Sequence, residues 1–411
     1  MGLPFPPWFE FGTATAATQI EGGCTTSDWY KFGRAGLVAR GETPNVACNS
    51  WEKWRDDIEL QRQLGMNAYR MSVEWARIEP RPGSFDVDVL AKYAMMLRRL
   101  RDASIEPMVT LHHFTLPTWL AERGGVLAPG FVARFAIFAG KVVSALHEYC
   151  ERWITINEPS VYVACGYILG KWPPALKNSP LKARRALHAL QSAHDRAYAW
   201  IKTADDSAQV GMAHHLRPAM PATDSRADKA AALLKQGLND AFAVEACARP
   251  TQDFFGINYY SRDVVRCDPT ALLEGRLPYV AEAPADAPRS DLGWEIYPEG
   301  LGQLVRTWGT RSKLPIFITE NGIADANDTR REQFLIDHLS QLARAIADGV
   351  DVRGYFHWSL LDNFEWADGY TPRFGLAEVD YATGERTLRP SAKLYAEIAR
   401  RRAVPNSQTE R

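Results

Sequence analysis

The chain has 411 residues and a formal net charge of -1 at pH 7, because 48 Lys and Arg residues almost balance 49 Asp and Glu residues. This balance gives no electrostatic basis for a nucleic-acid partner or an anionic membrane surface. Hydrophobic residues make up 46% of the chain, which is enough for a large core and excludes a mostly disordered protein.

The N-terminal stretch reads MGLPFPPWFEFG and has no basic region followed by an apolar one. No later segment offers the ~18 consecutive apolar residues of a membrane span. We therefore expect a soluble cytoplasmic protein. The six cysteines form no C-x-x-C pair, so we expect reduced thiols rather than a compact zinc site.

Short β-rich runs recur along the chain at 11–16, 68–73, 106–111, 152–157, 209–214, 253–260, 315–320 and 353–360. Segments with helical periodicity lie between them. The helix predicted at 50–65 has Ser50 as its candidate N-cap, and the one at 328–349 has Asp328. Eight strand–helix units favour a closed (β/α)₈ TIM barrel over an open doubly wound sheet.

We expect a single catalytic domain spanning 1–411, with a disordered C-terminal tail from about 404. The predicted loops at 17–50, 261–297 and 361–389 are long and rich in Gly, Pro and aromatic residues. In a (β/α)₈ barrel these loops crown the C-terminal face, where active sites form.

Two glutamates stand at the ends of predicted strands, in the sequences TINEP and ITENG. Glu158 follows the fourth strand and Glu320 ends the seventh. A single such residue would most often cap a helix or bond a neighbouring backbone group. Two carboxylates facing one barrel mouth are the minimal machinery of glycoside hydrolysis. Pro159 is expected to hold the backbone of Glu158 extended.

Four motifs in order resemble glycoside hydrolase family 1, the family of retaining β-glucosidases and β-galactosidases. They are FGTATAATQIEGG, TINEP, ITENG and WSLLDNFEWADGYTPRFG, and the resemblance runs from about Pro4 to Tyr395. It implies a single (β/α)₈ domain, with Glu158 as the general acid/base and Glu320 as the nucleophile. By the same resemblance Arg70 and Tyr260 contact the nucleophile, and Asn258 supports Tyr260 and the nucleophile.

The resemblance also implies a sugar-binding set of hydroxyl-binding polar groups and aromatic rings. Its members are Gln19, His113, Asn157, Trp358, Glu365, Trp366 and Phe374, with Trp172 and Trp294 on the aglycone side. Asn157 matches the contact to the 2-hydroxyl and Trp358 the ring platform. His214 and His215 are interpreted as structural, and neither a metal nor a cofactor is expected.

The predicted reaction is exo-acting hydrolysis of terminal β-D-glucosyl, and also galactosyl or fucosyl, residues through a covalent glycosyl-enzyme. The expected partner is a small β-glycoside or a short β-linked oligosaccharide. Two alternatives are a 6-phospho-β-glycosidase, which the acidic Glu365 disfavours, and a non-catalytic sugar-binding barrel. Phe114 replaces a Trp that many family members carry, which leaves the aglycone preference open.

Overall fold

Eight parallel strands close into a barrel in the computed structural model, which describes residues 2–274 and 276–405. The strands are β1 (Leu3–Pro4), β2 (Glu10–Ala14), β3 (Ala68–Ser72), β4 (Glu106–His112), β5 (Arg152–Asn157), β6 (Gln209–His215), β7 (Ala219–Pro221), β8 (Phe254–Tyr259), β9 (Asp263–Cys267), β10 (Tyr279–Ala281), β11 (Ile316–Asn321), β12 (Val352–Trp358), β13 (Ala377–Asp380), β14 (Glu385–Leu388) and β15 (Ala403–Val404). The barrel order is β2-β3-β4-β5-β6-β8-β11-β12, and β12 pairs with β2 to close it.

Helices separate the barrel strands and cover the outside of the barrel. The α-helices are α1 (Ala17–Ile20), α2 (Asp28–Arg34), α3 (Ser50–Gln63), α4 (Trp75–Ile78), α5 (Val87–Asp102), α6 (Thr118–Ala121), α7 (Phe131–Leu146), α8 (Pro159–Val163), α9 (Pro180–Ala204), α10 (Arg226–Cys247), α11 (Pro298–Ser312), α12 (Arg331–Ala347) and α13 (Pro390–Arg401). Short 3₁₀ turns cover Ala39–Gly41, Gly125–Leu127, His147–Tyr149, Pro269–Glu274 and Trp366–Asp368, and a π-helical turn covers Ala164–Ile168.

The predicted strands are confirmed, because each β-rich run coincides with a barrel strand and no boundary differs by more than two residues. These strands are buried on both faces, which explains their nearly continuous apolar sequences. One buried cluster includes a residue from every barrel strand, namely Ala14, Ala68, Met108, Ile154, Ala213, Phe254, Phe317 and Phe356. This cluster fills the barrel interior, so the barrel is a packed core with a site at one end.

Both predicted N-caps are wrong. Asn49, in the left-handed region at φ 53°, precedes α3, and Ser50 is already its first helical residue. Asp328 also has a positive φ, and its carboxylate binds Ser391 and the Arg331 guanidinium but no backbone N–H of α12. Asp325 performs the capping role, since its carboxylate accepts the backbone N–H groups of residues 330 and 331 at 2.8 and 3.0 Å.

The long segment after β8 contains regular structure that the sequence did not indicate. Strands β9 and β10 pair with each other, and β9 also pairs with β7, which makes a three-stranded sheet beside α10. At the C-terminus, Val404 pairs with Leu3, so the predicted tail does not begin at 404. Residues 406–411 of that predicted tail lie outside the described part of the chain.

Candidate active site

Glu320 is held by a cation and a phenol at the C-terminal end of β11. Its Oε1 accepts a hydrogen bond from Arg70 Nη1 at 2.5 Å, and its Oε2 accepts one from the Tyr260 hydroxyl at 2.8 Å. Arg70 comes from β3 and is fully buried, so its charge is not screened by water. This arrangement favours an ionised carboxylate at Glu320 over a protonated one.

Glu158 lies where β5 passes directly into α8. Its N–H donates to the Ala213 carbonyl of β6 at 2.8 Å, while its carbonyl accepts the Tyr162 N–H of the first turn of α8 at 3.0 Å. Its backbone is left-handed, with φ 42° and ψ 59°, so the extended conformation predicted from Pro159 is wrong. The residue has to satisfy the strand and the helix at once, and a left-handed turn joins them.

Asn258 lies beside both glutamates. Its Nδ2, at the end of β8, donates to Glu158 Oε1 at 2.7 Å, and its backbone pairs with Glu320 between β8 and β11. The charge of Glu320 raises the pKa of Glu158, which shows that the two carboxyl groups are neighbours. Neighbouring carboxyl groups at facing strand ends are the arrangement that glycoside hydrolysis needs.

The surroundings of the two carboxyl groups differ in charge. Burial, followed by the nearby charge of Glu320, raises the pKa of Glu158 well above its ordinary value. Burial also raises the pKa of Glu320, but Arg70 and the Tyr260 hydroxyl act in the opposite direction. At a pH where the pair holds one proton, the proton is therefore favoured on Glu158.

A hydrogen-bond chain runs from Arg70 to His113. Arg70 Nη2 donates to Asn157 Oδ1 at 2.7 Å, and Asn157 Nδ2 lies 3.2 Å from His113 Nε2. Burial, then the charge of Arg70, lowers the pKa of His113 well below its ordinary value. The ring is therefore neutral, and its Nε2 can accept from Asn157. His113 Nδ1 is buried with no hydrogen-bond partner among the described residues.

Gln19 and Glu365 form a second polar group in the site. Gln19 Nε2 donates to Asn363 Oδ1 at 2.8 Å and lies 3.3 Å from Glu365 Oε2. Its Oε1 is buried and has no partner among residues 2–274 and 276–405. Unpaired buried polar atoms cost free energy. Together with His113 Nδ1, this atom is suited to bind the hydroxyls of a ligand.

The pKa of Glu365 rises to about 8, mainly by burial and then by the charges of Glu320 and Asp368. The unfolded chain ionises Glu365 near the ordinary value of 4.5, whereas the folded chain keeps the proton up to about 8. The stability that Glu365 contributes to the folded chain is therefore present in full below pH 4.5 and is lost as the pH rises to about 8.

We expect Glu365→Gln to remove this loss, because the amide is neutral at every pH. The variant should unfold at about the same temperature as the parent at pH 4.5, and a few degrees above it at pH 8.5. Thermal unfolding of both proteins at the two pH values measures the difference. A difference that does not change with pH would contradict the prediction.

Aromatic rings form one wall of the site, here called the tryptophan wall. Trp172 packs against Trp29, Phe114 and Trp366, with ring centroids 5.6, 4.8 and 5.9 Å apart. Trp172 is half-buried, so part of its ring stays accessible. The neighbouring platform residue, Trp358, stacks on His113 at 5.8 Å, with the two planes 20° apart.

A second group of rings, here called the tyrosine wall, lies beside Glu320. The Tyr260 ring meets Trp294 edge-on at 5.6 Å and Phe374 at 6.1 Å. Trp294 is 36% exposed, so it can contact a group that extends out of the site. His215 stacks on Tyr260 at 6.1 Å, and the sequence interpretation did not include it in the site. Its position at the end of a barrel strand was the available signal.

The structure brings every predicted site residue to the C-terminal end of the barrel, in one network of hydrogen bonds and ring contacts. No cluster of three or more His, Cys, Asp or Glu in the described ranges could hold a metal ion. Within the same ranges, no helix is long and apolar enough to cross a membrane.

The model of glycosyl hydrolase family 1 matches residues 2–249 and 243–404. The chain belongs to glycosyl hydrolase family 1. Two relatives are similar to this chain over almost their full length. Beta-glucosidase A from Thermotoga maritima is 32% identical, covering 96% of this chain and 98% of the relative. A beta-galactosidase from Pyrococcus woesei is also 32% identical, and the match covers 97% of this chain and 98% of that relative.

A solved family 1 structure has the same fold. The beta-glycosidase from Pyrococcus horikoshii superposes with a TM-score of 0.91 at 37% identity, covering 99% of this chain and 97% of that one. The comparison confirms the predicted TIM barrel and the resemblance inferred from the four motifs.

Proposed function

We propose that this protein is a retaining, exo-acting β-glycosidase that hydrolyses terminal non-reducing β-D-glucosyl residues, and also galactosyl or fucosyl ones. The observation that carries the proposal is the asymmetric pair of buried carboxyl groups. Glu158 accepts from the neutral Asn258 amide, whereas Glu320 has a guanidinium and a phenol bonded to its oxygens. One group is set up to carry a charge and the other to carry a proton.

In the first step Glu320 attacks the anomeric carbon. The bond from this carbon to the glycosidic oxygen breaks, and that oxygen takes the proton of Glu158. The product is a glycosyl ester of Glu320 and a free aglycone. Arg70 and Tyr260 orient the attacking carboxylate, while Asn157 is placed to bind the 2-hydroxyl.

In the second step the charge on Glu320 is gone, because its oxygen is bonded to the sugar. The charge of Glu320 raises the pKa of Glu158 in the free enzyme, so that pKa falls in the intermediate. Glu158 can then take a proton from water as the water attacks the anomeric carbon. Glu320 leaves as a carboxylate, and two inversions give net retention.

The proposed substrate is a small β-glycoside or a short β-linked oligosaccharide. Its support is the polar set around Gln19 and Glu365, which has room for hydroxyl groups and no Lys or Arg bonded to it within the described residues. The relatives named above include a beta-glucosidase and a beta-galactosidase, and these sugars differ only at the 4-hydroxyl.

The direct test is the anomer first released from an aryl β-glucoside, followed by NMR before mutarotation. We expect the β anomer. An α anomer would overturn the proposal. A panel of aryl β-glucoside, galactoside, fucoside and mannoside, compared by kcat/KM, identifies the preferred sugar. A 6-phospho aryl glucoside belongs in the panel, and faster hydrolysis of that compound would favour the 6-phospho-β-glycosidase alternative.

A further inference from the structure

Thr319 has a buried hydroxyl next to Glu320, and the proposed mechanism does not use this hydroxyl. It precedes Glu320 on β11 and is fully buried. Neighbouring residues on a regular strand point to opposite faces. Here the register between β11 and β8 is irregular between Ile318 and Glu320, which lets Thr319 and Glu320 both reach Asn258.

The Thr319 hydroxyl donates to the Asn258 side-chain carbonyl at 2.6 Å, which is short for such a bond. The amide nitrogen of the same side chain faces Glu158 Oε1 at 2.7 Å and Asn157 Oδ1 at 3.1 Å. The carbonyl has no other side-chain donor among the described residues. Without Thr319, it would be a buried acceptor left unpaired.

A hydrogen bond from Arg70 determines which end of the Asn258 side chain faces Asn157 and Glu158. Arg70 donates to Asn157 Oδ1, and a guanidinium cannot accept, so this oxygen is an acceptor. A flipped Asn258 would place its carbonyl against two acceptor oxygens. The amide nitrogen of Asn258 therefore points to Glu158 and Asn157, and its carbonyl points to Thr319.

We propose that Thr319 is a positioning residue, whose hydroxyl holds the Asn258 amide so that its N–H groups stay directed at Glu158 and Asn157. The inference rests on the proposed function of Glu158 and Glu320. It assigns Thr319 no contact with the sugar. Its role is to keep the Asn258 donor on the carboxyl group that protonates the leaving oxygen.

The consequence concerns the proton on Glu158. The titratable and charged groups that face Glu158 are Glu320, Arg70, Glu365, Tyr260 and Cys165. The Asn258 hydrogen bond lowers the pKa of Glu158, so its loss raises that pKa. The basic limb of the pH profile of kcat/KM reports loss of the proton of the general acid in the free enzyme. This limb should therefore move to higher pH when the Thr319 hydroxyl is removed.

Two matched comparisons isolate the hydroxyl. Thr319→Val keeps the shape of the side chain, and the pair Thr319→Ser and Thr319→Ala differs only by the hydroxyl. We expect Thr319→Val and Thr319→Ala to lower kcat/KM on an aryl β-glucoside by about tenfold, with the basic limb raised by about half a pH unit. Thr319→Ser should stay within about twofold of the parent, with an unmoved limb.

The control is Thr155→Val. Thr155 is equally buried on β5, but its hydroxyl bonds His194 on α9, away from the carboxyl pair. We expect this variant to leave the pH profile in place. Unchanged limbs for Thr319→Val and Thr319→Ala, or an equal shift in Thr155→Val, would overturn the inference. If Thr319→Val does not fold, the Ser and Ala variants decide alone.

Failure of the inference is distinguishable from failure of the proposed function. If the parent enzyme releases the β anomer and Glu320→Ala is inactive, the proposed function stands. An unmoved limb in the Thr319 variants then rejects only the positioning role. If the parent enzyme has no β-glycosidase activity, the proposed function itself fails.

Discussion

Replacing Glu320 by Ala is expected to lower kcat on an aryl β-glucoside by at least about 10⁴-fold, because the carboxylate that forms the covalent bond is absent. Small anions should partly restore turnover. Azide can occupy the space left by the side chain and attack the anomeric carbon from that face. Only one inversion then occurs, so the product should be the α-glycosyl azide. Its anomeric configuration is measured by NMR.

The control must separate lost chemistry from lost folding, since Glu320→Ala leaves Arg70 buried without its carboxylate partner. Glu320→Gln retains the volume and an acceptor oxygen for Arg70. Circular dichroism and the affinity for a neutral glucose analogue should stay near the parent values in the Gln variant. Unchanged turnover in either variant would reject the catalytic assignment of Glu320, whereas a parent protein without turnover would favour a non-catalytic sugar-binding barrel.

Replacing Glu158 by Gln should produce a loss that depends on the leaving group. The isosteric amide can still accept from Asn258, but it has no proton to give. An alkyl β-glucoside needs that proton, and its kcat/KM should fall by about 10³-fold. A dinitrophenyl β-glucoside has a stable leaving group, and its kcat/KM should fall far less. Stopped-flow and steady-state assays of the two substrates measure the contrast.

The pH dependence is a second readout for the same variant. The descending basic limb of the parent profile reports loss of the Glu158 proton, and its position is raised by burial and by the charge of Glu320. In Glu158→Gln this limb should disappear, while the acidic limb remains. Equal losses on both substrates, or a retained basic limb, would show that another residue is the acid.

The barrel could be predicted because parallel strands buried on two faces leave a strong pattern. Runs such as the one that became β11 are continuous, apolar and β-branched, and helices of regular periodicity separate them. Strands β9 and β10 left no such pattern. They are short, and burial is incomplete on both, so their sequences have no clear period.

The site was predictable where a motif joins a residue type to a strand end. Glu158 and Glu320 were found in that way, and the structure brings both next to Asn258 at the end of the barrel. The left-handed turn at Glu158 was not predictable, because the local preference imposed by Pro159 was outweighed by bonds to β6 and α8. Thr319 was missed because a threonine inside a strand is most often only a strand former.

The tryptophan wall has a consequence for how specificity can change in this scaffold. Its rings, Trp29, Phe114, Trp172 and Trp366, come from four separate loops, after β2, β4, β5 and β12. Each ring is supported by rings from the other loops. A loop transplanted alone from a relative would therefore arrive without the partners that hold its side chain. Any specificity that this wall sets is therefore not modular, and redesign has to exchange the four loops as a set.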